Sequence, residues 1–142
     1  MIYPPIPLKK FDIQGDKQKG MFWRFHPISD PSIEYIIIRD TDSRFSRRES
    51  VAVQEWIASG KSMHIIRDHL RHNIAILGGL WGINGGLVKN IRQKINQWRR
   101  HSIWSLDRKH TRYGADQIFL KEVLYQKFKE DALIHSECVR FQ

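Results

Sequence analysis

The feature that most constrains the fold is a short apolar run at residues 34–38 (EYIII), which is followed at once by charged residues. A β-branched run of this length is typical of a buried strand. A helix is then predicted to begin after Ser46, because Ser46 and Glu49 have the spacing of a capping box. The Ser59-Gly60 pair is expected to end it. The sequence therefore predicts a strand, a charged connection and an amphipathic helix in succession.

The rest of the chain continues this mixture of strands and helices. Apolar residues at 63–66, 74–81 and 133–134 predict three further strands, and the second of these is interrupted by Gly78-Gly79. Two helical stripes lie between them, formed by Leu87, Ile91, Ile95 and Trp98 and by Leu120, Val123, Leu124 and Phe128. The order strand, helix, strand, strand, helix, helix, strand indicates an α/β fold with a mixed sheet flanked by helices.

Composition limits the organisation of the chain. A chain of 142 residues that is 41% hydrophobic can bury one core, so we expect one domain at 21–142. Residues 1–20 contain clustered prolines and glycines and are predicted to be a leader or connecting segment. The single cysteine, Cys138, excludes an internal disulfide framework and is typical of a reducing compartment.

Hydropathy and charge limit the location and the partners. No apolar stretch approaches the roughly 20 residues that span a bilayer. We therefore predict a cytoplasmic protein without a transmembrane segment, whose only membrane association would be peripheral. The net charge of +9 favours anionic partners without choosing among them.

Residues 39–44 (RDTDSR) follow the first predicted strand and carry the clearest chemistry. On an extended backbone Asp40 and Asp42 point the same way, and two carboxylates at one site need a cation. Hard oxygen ligands select Mg²⁺ or Mn²⁺, which also bind diphosphate oxygens. Arg39 and Arg44 flank the pair and would either contact phosphate or balance the carboxylates. An Asp-x-Asp tripeptide by itself is also common in turns.

Further blocks of sequence occur in a characteristic order at 21–25 (MFWRF), 39–44 (RDTDSR), 47–61 (RRESVAVQEWIASGK), 65–69 (IIRDH), 76–82 (ILGGLWG) and 116–120 (DQIFL). With these blocks the chain resembles, from residue 21 to about residue 136, bacterial and viral sugar-transferase-like proteins of the GT-A type. The resemblance implies a metal-dependent glycosyltransferase with a nucleotide-sugar donor, a glycan or other hydroxyl acceptor, and a partial GT-A-like sheet. It also implies that Asp40 and Asp42 hold Mn²⁺ or Mg²⁺ and the donor's diphosphate.

The order of motifs is more distantly similar to that of family-8-type transferases such as glycogenin and the lipopolysaccharide galactosyltransferases. That similarity implies that Gly78 and Gly79 lie beside the donor sugar, that Asp116 and Gln117 lie near the reaction centre, and that His135 is a metal ligand. His135 lacks that family's His-x-x-Gly-x-x-Lys-Pro-Trp setting. An equal alternative is that His135 is a structural histidine at the end of a strand, with its hydrogen bonds made to the protein.

Several of these side chains also have a structural interpretation. Asp116 would act as a base or charge stabiliser, or as the N-cap of the helix that follows. Asp68 and His69 would contact the acceptor, or belong to a surface turn of mixed charge. Trp81 would stack on a sugar ring, although a tryptophan in an apolar strand is more often part of the core.

The chain departs from the GT-A pattern before the Asp-x-Asp motif. Only 39 residues precede Asp40, whereas transferases of this type begin with a Rossmann-like half of roughly 100 residues. We therefore expect a fragment, a separate chain that supplies the nucleotide-binding half, or a protein without catalysis. An exposed sheet edge would favour pairing with that chain or with a second copy.

Two other functions compete with the transferase. A phosphohydrolase of the haloacid dehalogenase type would use Asp40 as nucleophile, but Arg44 occupies the position where that superfamily has Thr or Val. A noncatalytic basic module would bind RNA or an anionic glycan through Trp98, Arg99, Arg100 and Trp104. Nucleic acid is not the expected partner, because a solvated basic helix face explains the same residues.

Overall fold

The computed structural model describes residues 17–67, 74–101 and 114–136. Its elements are α1 (Lys17–Phe22), a 3₁₀ helix (Trp23–Ser29), β1 (Tyr35–Arg39), α2 (Arg47–Ser59), β2 (Met63–Arg67), β3 (Leu80–Asn84), α3 (Ile91–His101), α4 (Ala115–Phe119), a π-helical segment (Leu120–Tyr125), α5 (Gln126–Phe128), a second 3₁₀ helix (Lys129–Asp131) and β4 (Ala132–Ser136). The predicted α/β class is confirmed. From β1 onward the major elements follow the predicted order.

The four strands form one mixed sheet in the order β1-β3-β2-β4. β3 pairs antiparallel with both β1 and β2, so Arg39 at the end of β1 lies opposite Leu80 at the start of β3. β4 pairs parallel with β2, with Ile66 opposite His135. β1 and β4 are therefore the two edges of the sheet.

The two faces of the sheet are covered differently. On one face, which we call the core face, buried residues of β1, β2 and β3 form a single cluster with the first 3₁₀ helix, α3, α4 and the π-helical segment. Its members include Ile38, Ile65, Trp81, Phe25 and Phe119. Because side chains alternate along a strand, the residues between them point to the other face, which is covered by α2. We call this the α2 face.

α2 has the predicted boundaries, and its cap explains them. The Ser46 hydroxyl accepts a hydrogen bond from the Glu49 backbone N–H at 3.2 Å, and the Glu49 carboxylate accepts one from the Ser46 N–H at 2.8 Å. Gly60 ends the helix in the left-handed region at φ 69°. Trp56 of α2 packs directly over Gly82 of β3, where a Cβ would lie 2.9 Å from the indole ring. The sheet thus accepts the helix because position 82 has no side chain.

The prediction of a strand over 74–81 is wrong in its first part. The chain turns at Gly78-Gly79, where the Leu80 N–H donates to the Leu77 carbonyl at 3.2 Å, and β3 begins only at Leu80. α1 and the first 3₁₀ helix were not predicted, and α1 crosses the expected boundary between residues 20 and 21.

α3 begins later than its apolar stripe suggests. The Ser29 hydroxyl accepts a hydrogen bond from the Ile91 N–H at 2.9 Å and donates one to the Val88 carbonyl at 2.7 Å. A residue 62 positions away therefore caps this helix, and Leu87 lies outside it. Within the described ranges, no helix combines the length and apolar character needed to cross a membrane.

Candidate functional site

Three distant segments meet at the end of β1. Because β1 and β3 are antiparallel, Asp40, which follows β1, lies beside the Gly78-Gly79 turn that precedes β3. The first turn of α4 brings Asp116 and Gln117 to the same place. Together with Arg24 of the first 3₁₀ helix these residues form what we call the Asp40 cluster: Arg24, Asp40, Gly78, Gly79, Asp116 and Gln117.

Arg24 lies at the centre of the Asp40 cluster. Its Nη1 donates to the Gly78 carbonyl at 3.0 Å and lies 3.8 Å from Oδ1 of Asp40. Its Nε lies 3.6 Å from Oδ2 of Asp116. One guanidinium therefore balances two carboxylates that are 76 positions apart in the sequence. Arg24 was not singled out from the sequence, although a lone charge within the aromatic block at 21–25 is a signal that could have identified it.

The two glycines allow the cluster to close. A Cβ at Gly79 would overlap the carboxylate of Asp40, and a Cβ at Gly78 would lie 3.0 Å from Nη1 of Arg24 and 3.1 Å from Oε1 of Gln117. The space beside both glycines is thus filled by side chains of the cluster. Gln117 also donates from Nε2 to the Ile76 carbonyl, which joins α4 to the segment before β3.

Asp116 and Asp40 differ in their exposure. Asp116 is buried in the first turn of α4, and Gly114 rather than Asp116 occupies the N-cap position. The N-cap interpretation of Asp116 is therefore wrong, and its carboxylate faces Arg24 instead. The side chain of Asp40 is 54% exposed. The cluster thus combines a buried carboxylate, a bridging cation and a carboxylate that is open to solvent.

The backbone after Asp40 turns instead of continuing in extended form. The Ser43 N–H donates to the Asp40 carbonyl at 3.1 Å, so the alternation argument for Asp40 and Asp42 does not apply. Asp42 and Arg44 are both exposed, Asp42 within the turn and Arg44 just after it. Their predicted roles with metal and phosphate stay predictions.

Arg39 points to the α2 face and is engaged there. Its Nε lies 3.2 Å from Oε1 of Glu49, and its guanidinium carbon lies 5.7 Å from the centre of the Phe45 ring. Its Nη1 also donates to the Ile38 carbonyl at 2.8 Å. The guanidinium of Arg39 therefore balances Glu49 rather than the carboxylates of the Asp-x-Asp motif.

His135 also lies on the α2 face, away from the Asp40 cluster. Its Nδ1 is 2.9 Å from Nε2 of His64, and its Nε2 is 2.6 Å from Oε2 of Glu55. His64 is fully buried and stacks on Trp56 at 5.5 Å between ring centres. Burial lowers the pKa of His64 to about 4, and His135 and Arg39 act in the same direction. His135 is therefore not placed to share a metal ion with Asp40.

Trp81 is a core residue. It is fully buried, packs 6.0 Å from the Phe25 ring and donates from Nε1 to the Gly78 carbonyl at 3.0 Å. No face of its ring is open for a sugar, so the stacking prediction is wrong. Asp68 and His69, the predicted acceptor contacts, lie outside the described residues.

The Asp40 cluster fits only a cation site that is completed by water and by a ligand's phosphate groups. Across the described ranges, no three or more His, Cys, Asp or Glu side chains are grouped to hold a metal ion. Mg²⁺-type sites, however, use one or two carboxylates together with waters and substrate phosphates. Asp40 offers such a carboxylate, because it is half exposed and its ion pair with Arg24 is long at 3.8 Å.

Buried ion pairs with bridging arginines also occur as purely structural networks, so the geometry of the cluster does not by itself assign a reaction. Comparison of the chain with protein-family models, with curated proteins and with solved structures found no match.

Proposed function

We propose that this chain is a metal-dependent glycosyltransferase, or the carboxy-terminal part of one, that moves a sugar from a nucleotide-sugar donor to a glycan or other hydroxyl acceptor. One observation carries the proposal. The Asp-x-Asp aspartate, the glycine pair and the Asp-Gln pair are separated by up to 77 positions in sequence, from 40 to 117, yet they are in contact around Arg24. The resemblance implies that these same residues form a donor site.

Asp40 is the residue that would hold the cation, with Asp42 as a second ligand from the adjacent turn. A bound Mn²⁺ or Mg²⁺ would offset the charge that develops on the leaving nucleoside diphosphate. The Arg24 guanidinium would contact an anionic oxygen of the donor near Asp40, because its side chain is 30% exposed and its Nη1 lies 3.8 Å from Oδ1 of Asp40.

Asp116 and Gln117 supply the rigid side of this site. Asp116 is 5% exposed and faces Arg24, so it orients the guanidinium and contributes negative charge next to the reacting centre. Gln117 ties α4 to the carbonyl of Ile76 and thereby sets the position of the Gly78-Gly79 turn. The glycines contribute by allowing these side chains to approach, which differs from the predicted contact of glycine backbone with the sugar.

The proposal is tested by the Mn²⁺-dependent binding of nucleoside diphosphates. Asp40→Asn and Asp42→Asn each remove a charge while keeping the shape, and each should weaken this binding about tenfold or more, as expected for a lost charge-assisted contact. Titration calorimetry with Mn²⁺ and a panel of nucleoside diphosphates measures the change. Glu130→Gln is the matched control, because Glu130 is an exposed carboxylate outside the Asp40 cluster.

Unchanged affinity in both aspartate variants would contradict the donor site. The phosphohydrolase alternative predicts a different result, which is a covalent phosphate on Asp40 that survives denaturation. Mass spectrometry after incubation with a phosphate ester detects such an adduct. Its presence would replace the transferase proposal with the hydrolase.

A further inference from the structure

A groove of about 310 Å³ runs between the first 3₁₀ helix and α3, outside the Asp40 cluster. Phe22 and Ile95, which are buried, form its floor, and Trp23, His26, Arg92, Asn96 and Arg99 line the rest. A second concavity of about 500 Å³ continues from it, shares His26 and Arg92, and adds Lys89 and Gln93. We call the two together the α3 groove.

The α3 groove is positively charged. Among the described residues, none of the side chains that line it is a carboxylate, and α3 contains no Asp or Glu over its whole length. The Arg99 guanidinium carbon lies 5.7 Å from the centre of the Phe22 ring, so this charge is held at the floor of the groove. Arg92 is exposed at the junction of the two concavities. Cations along a concave surface concentrate anions there.

His26 supports this description of the groove. Its Nδ1 is buried and has no hydrogen-bond partner among the described residues. Burial lowers the pKa of His26, and the nearby charge of Arg92 lowers it further. His26 therefore lines the groove as a neutral imidazole near Arg92, and the positive charge of the lining comes from its arginines and Lys89.

The groove does not offer the succession of open rings on which single-stranded nucleic acid stacks. Of the Phe, Tyr and Trp side chains that line it among the described residues, only Trp23 is partly exposed. Phe22 is only 3% exposed, because Phe25, Trp98 and Phe119 pack around it and Arg99 covers it. Nucleic-acid grooves combine positive charge with open aromatic faces on which bases stack. The lining here has a single partly exposed indole, and its amides at Asn96 and Gln93 are suited to hydroxyl groups.

We propose that the α3 groove binds a carbohydrate chain that carries carboxylate or phosphate groups. Arg92 and Arg99 pair with the anionic groups, and Asn96 and Gln93 bind sugar hydroxyls. If the chain is a glycosyltransferase, as proposed above, this carbohydrate is its acceptor, and that assignment rests on the proposed function. The proposal that the groove binds such a carbohydrate does not depend on the proposed function.

Two double variants of the full chain test the groove. Arg92→Gln with Arg99→Gln removes two charges from its lining, whereas Lys94→Gln with Arg100→Gln removes two charges from the same helix outside the lining. The probes are an oligogalacturonate, a neutral maltooligosaccharide of equal length and an oligouridylate of equal charge. Their dissociation constants are measured by thermophoresis at two salt concentrations.

The wild-type chain should bind the oligogalacturonate and not the maltooligosaccharide. The lining variant should lose about tenfold or more in affinity, because it loses charge-assisted hydrogen bonds. The control variant should lose less than about threefold, because its charges act only through screened solvent. Arg92→Gln alone should weaken binding in the same direction, and it leaves the contact between Arg99 and Phe22 in place.

Three results would overturn the inference. Equal losses in the two double variants would show diffuse attraction to the whole helix. Tighter binding of the oligouridylate, with the loss confined to the lining variant, would make the groove a nucleic-acid site. No binding of the oligogalacturonate by the wild-type chain would remove the site altogether. Mn²⁺-dependent nucleoside diphosphate binding, measured on the same proteins, should be equal in all of them, so failure at the groove and failure at Asp40 are read separately.

Discussion

The Asp40 cluster and the histidine pair of the α2 face are built from similar materials and differ in the group that each buries. Each joins ionisable side chains that are far apart in sequence, and each places a carboxylate within reach of a basic group. Each has an exposed carboxylate, since the Asp40 side chain is 54% exposed and that of Glu55 is 59% exposed. The buried group is the carboxylate of Asp116 in the first and the imidazole of His64, under Trp56, in the second. The sequence suggested that Asp40 and His135 would share one metal ion, but they lie on opposite faces of the sheet. The candidate site therefore buries an anion that Arg24 balances, whereas the network of the α2 face buries a histidine whose pKa is lowered.

The largest expected effect concerns His64, the buried histidine of the α2 face. The pKa of His64 is about 4 in the folded chain against 6.5 in its ordinary state, so between these values only the unfolded chain binds the proton. The associated stability is present above the unfolded pKa and is lost as the pH falls toward the folded one. The free energy of unfolding should drop by about 3 kcal/mol over this range.

Urea unfolding of the wild-type chain and of His64→Phe, at about pH 7 and about pH 4.5, measures this drop. Phe keeps a ring against Trp56 but does not titrate, so the variant should lose less stability on acidification than the wild type. The comparison is made within each protein because His26, whose pKa is also lowered, contributes to both. Equal losses in the two proteins would show that the buried histidine does not control acid stability.

The second prediction breaks the Asp40 cluster at its bridging cation. Arg24→Met leaves the carboxylate of Asp116 buried without its cation and should cost about 2–3 kcal/mol in the free energy of unfolding. Asp116→Asn introduced into Arg24→Met should recover part of this loss, because the uncompensated charge is then gone. Chemical denaturation of the four proteins of the cycle measures the coupling. Strictly additive losses would mean that Arg24 and Asp116 do not interact.

The smallest expected change in stability comes from Gly79→Ala, which tests the position of the Asp40 carboxylate without disturbing the fold of the chain. Gly79→Ala places a methyl group where the Asp40 carboxylate lies, and the exposed carboxylate can turn away. Stability should fall by less than about 1 kcal/mol, while Mn²⁺-dependent nucleoside diphosphate affinity should fall about tenfold.

Gly20→Ala is the matched control for Gly79→Ala. A Cβ at Gly20 meets nothing within 4 Å, and Gly20 lies in α1, so alanine should keep or slightly raise stability. Nucleoside diphosphate binding by the Gly20 variant should equal that of the wild type. If Gly79→Ala also binds like the wild type, the placement of the Asp40 carboxylate by the glycine turn has no part in ligand binding.

Local signals made much of the fold predictable. The strand at 34–38, the capping box at Ser46 and Glu49, and the apolar stripe of α3 each depend on neighbouring residues, and each corresponds to an observed element. The motifs of the resemblance also indicated which residues would lie together, and the structure brings Asp40, Gly78, Gly79, Asp116 and Gln117 into one cluster. Their roles in binding and catalysis stay predictions.

The remaining features depend on pairings between distant segments. The face on which His135 lies follows from the register of β4 against β2, which no local pattern contains. Arg24, which bridges the two carboxylates, lies in a 3₁₀ helix that includes Pro27 and has no clear periodicity. The turn at Asp40 replaced the extended backbone assumed for Asp42, because the Ser43 N–H finds a partner in the Asp40 carbonyl.

The carbonyl of Gly78 accepts from both Arg24 and Trp81, so both of its lone pairs are in use. One oxygen atom thereby connects the guanidinium that faces Asp40 with an indole in the middle of the core. The Trp81 indole proton is consequently a built-in spectroscopic reporter. Its chemical shift and its exchange with solvent should respond when an anion draws on Arg24, even though the ring never meets the ligand.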